Sequence, residues 1–190
     1  VSRERILDAA IERIASDGID GVRIARIAMD AGVSTALVHY HFATREALLA
    51  EALEHSFERA GDVRTADTGE SPAVQRLRDM VEQCLPLPGE QELDWVLWVE
   101  LWLRAVRHPE LRPTAAKLYA RMHVWFVEAI EAGGFSCDAD RVADRVIALL
   151  DGLGLRALLG DPAMPVERAR EEVWDALARE LRLDAAAPAG

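Results

Sequence analysis

The sequence predicts an all-α protein of about nine helices. Apolar residues recur at i, i+3, i+4 and i+7 in nearly every segment. No run alternates apolar and polar residues at period two, and no internal repeat is visible. Gly, Pro and hydroxyl residues stand where such helices must start and stop.

Ser2 can cap a first helix whose apolar face is Ile6, Leu7, Ala10 and Ile14, ending at Asp17-Gly18. Ile24, Ile27, Ala28 and Ala31 give a short second helix, broken at Gly32. Ser34 caps a third through His41, and Thr44 a fourth from Arg45 to about Gly61. "GDVRTADTGES" (61–71) is a polar linker. Ser71-Pro72 then pairs a cap with proline at the first helical position, and this fifth helix ends before "LPLPGEQ". A sixth helix is expected from about Glu92 to Arg107, closed by His108-Pro109, and a seventh from about Glu110 to Ala132, closed by Gly133-Gly134. An eighth runs from about Ala139 to Leu159 and a ninth starts near Pro165, with a frayed tail "DAAAPAG".

Thirty-three acidic residues face 22 basic ones, a net charge of -11, and Lys117 is the only lysine. Residues 1–50 sum to -1 and the remaining 140 to -10, so the acidity lies behind the front module. Cys84 and Cys137 are too few and too far apart for a disulfide framework or a zinc site. The longest strongly apolar stretch, Trp95 to Leu103, holds nine residues including Glu100, whereas a membrane span needs about 20. A soluble cytoplasmic protein without membrane association is expected.

The front carries the most specific pattern. Two short helices joined by a glycine turn make a helix-turn-helix: Ala28 packs, Gly32 turns, Ser34 caps. Val38 and Phe42 point inward, leaving Thr35, Ala36, Leu37, His39 and Tyr40 outside. The first residues of such a helix reach base edges. Thr35 can hydrogen-bond a base, and Ala36 and Leu37 can touch a thymine methyl. His39, Tyr40, His41, Thr44 and Arg45 stand where phosphate would lie, with Arg23 and Arg26 on the other side. His39 and His41, two residues apart on a helix, point different ways and make no metal site.

The stretch "IA…AGVS…VHYHFATREALL" resembles the TetR family of bacterial transcriptional regulators. Gly32, Val33, Ser34, Val38, His41, Phe42, Thr44, Arg45, Glu46, Leu48 and Leu49 fit the family pattern, eleven matches over eighteen positions. Two positions depart from it. His39 stands where the family usually has tyrosine, and Arg23 opens the second helix where a hydroxyl cap is common. "RHPELR" and "LLDGLGLRALLGDP" resemble members with a betaine-repressor-like C-terminal half. The resemblance implies a DNA-binding domain over 1–46 and a ligand-binding and dimerisation domain over 47–190. It also implies a ligand pocket from helices four to eight and a dimer face from helices eight and nine.

The body's own residues suggest a pocket. "WVLWVELWL" is apolar all round except at Glu100, and Trp95, Trp98 and Trp102 recur at i, i+3, i+7. Met122, Trp125 and Phe126 are candidates to face them. Aromatic walls with one carboxylate suit a small hydrophobic ligand, a cation in particular. Glu100 either meets that ligand or pairs with Arg104 four residues on; Asp79, Asp94 and Asp151 are further acidic candidates. Gly152 and Gly154 inside a helix suggest close helix approach. The expected dimer face is Leu149, Gly152, Leu153, Arg156, Val173, Trp174, Leu177 and Leu181, with packing inside one chain as the alternative.

The expectation is therefore a homodimeric, ligand-responsive repressor of a palindromic double-stranded operator, with no cofactor and no metal. An all-helical enzyme and a protein-interaction bundle are the alternatives. The chain shows no HExxH, nucleophile elbow or Gly-rich phosphate loop, so no enzyme is expected.

Overall fold

A computed structural model describes residues 2–60 and 71–183; the expected linker and tail lie outside the described residues. Among the described residues there are nine α-helices, one 3-10 turn and no strand. In order they are α1 (Ser2–Gly21), α2 (Ile24–Asp30), α3 (Thr35–His41), α4 (Arg45–Ala60) and α5 (Pro72–Gln83). Then come α6 (Glu90–Arg107), the 3-10 turn Pro109–Leu111, α7 (Arg112–Ala132), α8 (Ala139–Leu158) and α9 (Val166–Glu180). The 3-10 turn is the main local difference from expectation: proline after His108 stops α6, and the chain needs one tight turn before α7 begins at Arg112.

The caps work as their side chains dictate. Ser34 accepts from Leu37 N at 3.1 Å, Thr44 from Ala47 N at 3.0 Å and Ser71 from Val74 N at 3.4 Å. Arg23 stands before α2 with no side-chain cap. Gly32 takes φ 64°, which gives the turn between α2 and α3 its left-handed residue at no Cβ cost.

The chain forms two compact units. The first, the head, joins residues 1–62 to 93–118; the second, the body, joins 63–92 to 119–190. In the head, Ile6, Leu7, Ile14, Ile27, Val38, Phe42 and Leu48 form one buried cluster. Leu97 and Leu101 of α6 and Leu118 of α7 belong to that same cluster, so α6 completes the core beneath the helix-turn-helix. Burying each such side chain contributes about 1.5–3 kcal/mol. In the body, α8 packs most extensively on α9, and α5 also meets α9. Leu77, Met80, Phe126, Val146, Leu150, Val173 and Leu177 are buried there. α7 contributes Arg112–Leu118 to the first unit and its later residues to the second.

Candidate nucleic-acid interface and ligand site

α3 has an inner and an outer side. Val38 is fully buried and Phe42 is 2% exposed, while Thr35, Ala36 and His39 are exposed and Tyr40 is 82% exposed. Leu37 and His41 are half-buried. The outer row therefore stands clear of the chain's own head. Thr44, exposed, accepts from Ala47 N as the α4 cap and keeps its O–H to donate outward.

The cations around this surface differ in how they are held. Arg45 Nη2 donates to Ile19 O and its Nε to Val22 O at 3.3 Å, tying the start of α4 to the end of α1. Arg23 Nη1 donates to Asp20 O at 2.8 Å and to Val22 O at 3.2 Å. Arg26 is exposed and helps to hold the Asp30 carboxyl low. Asp30 is held low chiefly by Arg13, which grips it from Nε at 2.5 Å and Nη2 at 3.1 Å and so staples α1 to α2. Of the three arginines, Arg26 is the one not tied to backbone.

The end of α1 is held from α6 as well. Gly18 bends the helix with φ 65°. Arg104 donates to Asp20, 84 residues away, rather than pairing with Glu100. Glu100 faces the bend: a Cβ on Gly18 would lie 3.5 Å from its Oε1. At about 100° per residue, Glu100 sits about 140° round α6 from Trp95 and about 160° from Trp102. The carboxyl and the tryptophans therefore occupy opposite sides of the helix. The tryptophans form their own cluster: Trp102 meets Trp95 edge-on at 6.1 Å and Trp98 at 5.8 Å. Trp98 also packs against the head core.

The body buries polar groups of a different kind. Gln75, Asp79 and Gln83 recur every four residues on α5 and share one face. Gln75 Nε2 donates to Asp79 Oδ1 at 2.6 Å, and both side chains are buried. Asp79 Oδ2 and Gln83 Oε1 are buried acceptors with no hydrogen-bond partner among the described residues. Nearby in the same unit, Tyr119 OH donates to Asp151 Oδ2 at 2.7 Å. Burial pushes the Asp151 carboxyl up, and the tyrosine bond only partly opposes it. Burial and the Asp151 charge raise the Tyr119 phenol, and burial pushes the Cys84 thiol up to about 12. Met122 is 7% exposed, Phe126 is fully buried, and the Trp125 ring lies 6.0 Å from Phe126. Gln75, Gln83 and Tyr119 were missed in the sequence. The four-residue spacing on α5 was the available signal, but it reads equally as a solvated face.

The expected dimer residues divide. Val173 and Leu177 are fully buried and Leu181 is 5% exposed, so these three pack inside their own chain. Trp174 is half-buried with the Arg78 guanidinium 3.9 Å over its ring. Leu149 and Leu153 are half-buried, and Arg156 is exposed and pairs with Asp161 at 2.7 Å. Gly152 is exposed with nothing within 4 Å of where a Cβ would stand.

Two family profiles match the chain. "Bacterial regulatory proteins, tetR family" covers residues 6–52, and "BetI-type transcriptional repressor, C-terminal" covers residues 73–182. The chain belongs to the TetR family. Among TetR relatives, the HTH-type transcriptional regulator BetI of Brucella canis is 28% identical over 181 residues, spanning 94% of this chain and 91% of that one. A crystal structure of a regulator from Rhodococcus sp., assigned to the TetR family, superposes with TM-score 0.84 at 31% identity, covering 95% and 98% of the two chains. A regulator from Saccharomonospora viridis solved in complex with choline gives 0.76 at 34% identity, over 91% and 93%. The multidrug binding protein EbrR, solved with proflavin, gives 0.61 at 29%, over 93% and 99%. This TetR protein is thus a DNA-binding, ligand-responsive transcription regulator. Among its described residues no helix is long and apolar enough to cross a membrane, and no cluster of His, Cys, Asp and Glu is arranged to hold a metal ion.

Proposed function

We propose that the chain works as a homodimeric repressor whose two α3 helices enter successive major grooves of a palindromic operator, roughly 34–36 Å apart. Thr35, Ala36 and Leu37 read base edges; His39, Tyr40, His41, Thr44 and Arg26 meet phosphate. Arg23 and Arg45 chiefly position the segment between α1 and α2. The second copy docks on the outer stripe of α8, where Gly152 leaves room for a close helix and Leu159 is 75% exposed.

The inducer is a small hydrophobic cation held in the body. One observation carries this: Asp79 Oδ2, an acidic oxygen buried on α5 with no hydrogen-bond partner among the described residues, one helical turn from Gln83 Oε1 in the same state. A buried acceptor left unsatisfied costs about 1–3 kcal/mol, more for a charged one, and a cationic donor removes that cost. Asp151 adds a second acidic group, and Met122 and Phe126 supply apolar surface. The relatives solved with choline and proflavin support a cationic ligand.

α7 offers the route to the head. Lys117 donates to Glu54 of α4 at 2.7 Å, Leu118 is buried in the head core, and Tyr119 binds Asp151 of α8. A ligand that disturbs the Tyr119–Asp151 bond acts on a helix whose preceding two residues hold α4 and the head core. The ligand must bind the DNA-incompetent state better, or nothing shifts.

The test is calorimetric titration of choline and proflavin into the wild type and Asp79→Asn. The variant loses roughly tenfold or more in affinity with operator binding unchanged. Equal binding of the uncharged choline analogue 3,3-dimethylbutanol, or an undiminished Asp79→Asn, overturns the cationic reading.

A further inference from the structure

The loop after α7, the start of α8 and the end of α9 enclose a cleft of about 520 Å3. Its walls carry Arg141, Arg145, Arg179 and Arg182 against only Asp138 and Glu180. That surplus of positive charge stands out in residues 51–190, which hold 16 basic and 26 acidic side chains. Nor do the cleft's own acids neutralise it. Glu180 pairs with Arg145, and Asp138 Oδ1 accepts from Arg141 N at 3.1 Å as the α8 cap. Arg179 reaches Asp175 only at 3.9 Å, and Arg141 and Arg182 have no acidic partner among the described residues.

A second observation concerns Arg182 itself. With φ 57° it is the only non-glycine with positive φ among the described residues. At the comparable places after α2, α7 and α8 the chain uses Gly32, Gly134 and Gly160, with φ between 64° and 69°. A Cβ in this conformation crowds the following carbonyl, so glycine would fit better on stability alone. The chain instead spends the strained position on a guanidinium that lines the cleft.

We propose that this cleft binds a small oxyanion carrying at least two negative charges, a polycarboxylate or a phosphate, through Arg141 and Arg182. Guanidinium groups grip carboxylate and phosphate oxygens through two parallel hydrogen bonds, which suits an anion with several oxygens. Such a ligand would join the first turn of α8 to the end of α9 and stabilise the pair in proportion to its occupancy. This site is separate from the acidic inducer site and takes the opposite charge.

The test uses the full-length protein without DNA, titrated calorimetrically with citrate and with inorganic phosphate at constant ionic strength set by sodium chloride. Saturable binding of either anion is expected, citrate and phosphate being distinguished by which one saturates. Concentrations stay below those at which these salts stabilise any protein by exclusion from its surface. Arg182→Gly keeps the backbone conformation without the strain. It should melt no lower than the wild type in chloride yet bind the anion roughly tenfold or more weaker, as should Arg141→Ala. No saturable heat with either anion overturns the proposal. So does an Arg182→Gly variant that binds like the wild type, or one that melts lower in chloride and so shows Arg182 to be structural.

Discussion

The head and the body treat their polar groups in opposite ways. In the head, charged side chains meet across helix surfaces: Arg13 with Asp30, Arg3 with Glu51, Lys117 with Glu54, Arg104 with Asp20. Its hydrophobic cluster runs from Ile6 to Leu118, and the buried Ser56 hydroxyl of the same unit is satisfied by donating to Asp94. In the body, an amide, an acid and a second amide follow one another along the inner face of α5, and two of their oxygens lack partners. A half-buried carboxyl and a half-buried phenol meet between α8 and α7, both shifted upward in pKa. A reading surface works best when its side chains are held in place before DNA arrives, and the head meets that requirement. A sensor needs groups that a ligand can complete, and the body supplies them.

The comparison breaks most visibly at Arg45. If the head is held together by its own contacts, Arg45→Ala removes two charged hydrogen bonds to the carbonyls of Ile19 and Val22. It should cost about 2 kcal/mol in urea unfolding as well as weakening binding to every DNA sequence. Unchanged stability would make Arg45 a plain phosphate contact. Arg26 sharpens the same point. Since it is not tied to backbone, Arg26→Ala should leave stability unchanged and reduce the salt slope of operator binding by about 0.9 per copy. A slope equal to the wild type's would take Arg26 off the interface.

The smallest expected effect lies in the body. Burial raises the Asp151 carboxyl above its unfolded value, so the folded state binds more protons there. Stability is then fullest below the unfolded pKa and is lost as pH rises through the folded one. Asp151→Asn removes that titration and can still accept from Tyr119. The gain in melting temperature of the variant over the wild type should therefore be larger at pH 7 than at pH 4. A gap independent of pH would mean that burial of this acid carries no penalty.

Local spacing was enough to read the head. Ser34, Thr44, Gly32 and the inward pair Val38 and Phe42 each act within a few residues, so their roles follow from neighbours in sequence. Longer-range choices were not legible. Arg104 has Glu100 one turn away, yet the fold brings Asp20 to it, and no local rule ranks those partners. The side of α6 that Glu100 occupies was legible from helix rotation, but the nearly continuous apolar run around it obscured the angle. Val173, Leu177 and Leu181 make a clear stripe on α9. A stripe shows that a face is buried, not whether its own chain or a second copy covers it; here the own chain does. Gln75 and Gln83, either side of the acidic candidate Asp79, fail for the complementary reason: polar residues at helical spacing are read as solvated until the packing shows their face turned inward.

The central claim is that completing the body's unsatisfied acceptors, Asp79 Oδ2 and Gln83 Oε1, changes what the head can grip. Thermodynamic linkage then requires operator DNA to weaken the ligand by the same factor that the ligand weakens the operator. The most direct measurement is the affinity for choline or proflavin, followed by tryptophan fluorescence, with and without a saturating duplex selected by the protein from a random library. The account predicts that affinity falls roughly 5- to 150-fold on the duplex. Identical affinity in the two conditions would show that the two regions are not coupled and would contradict it.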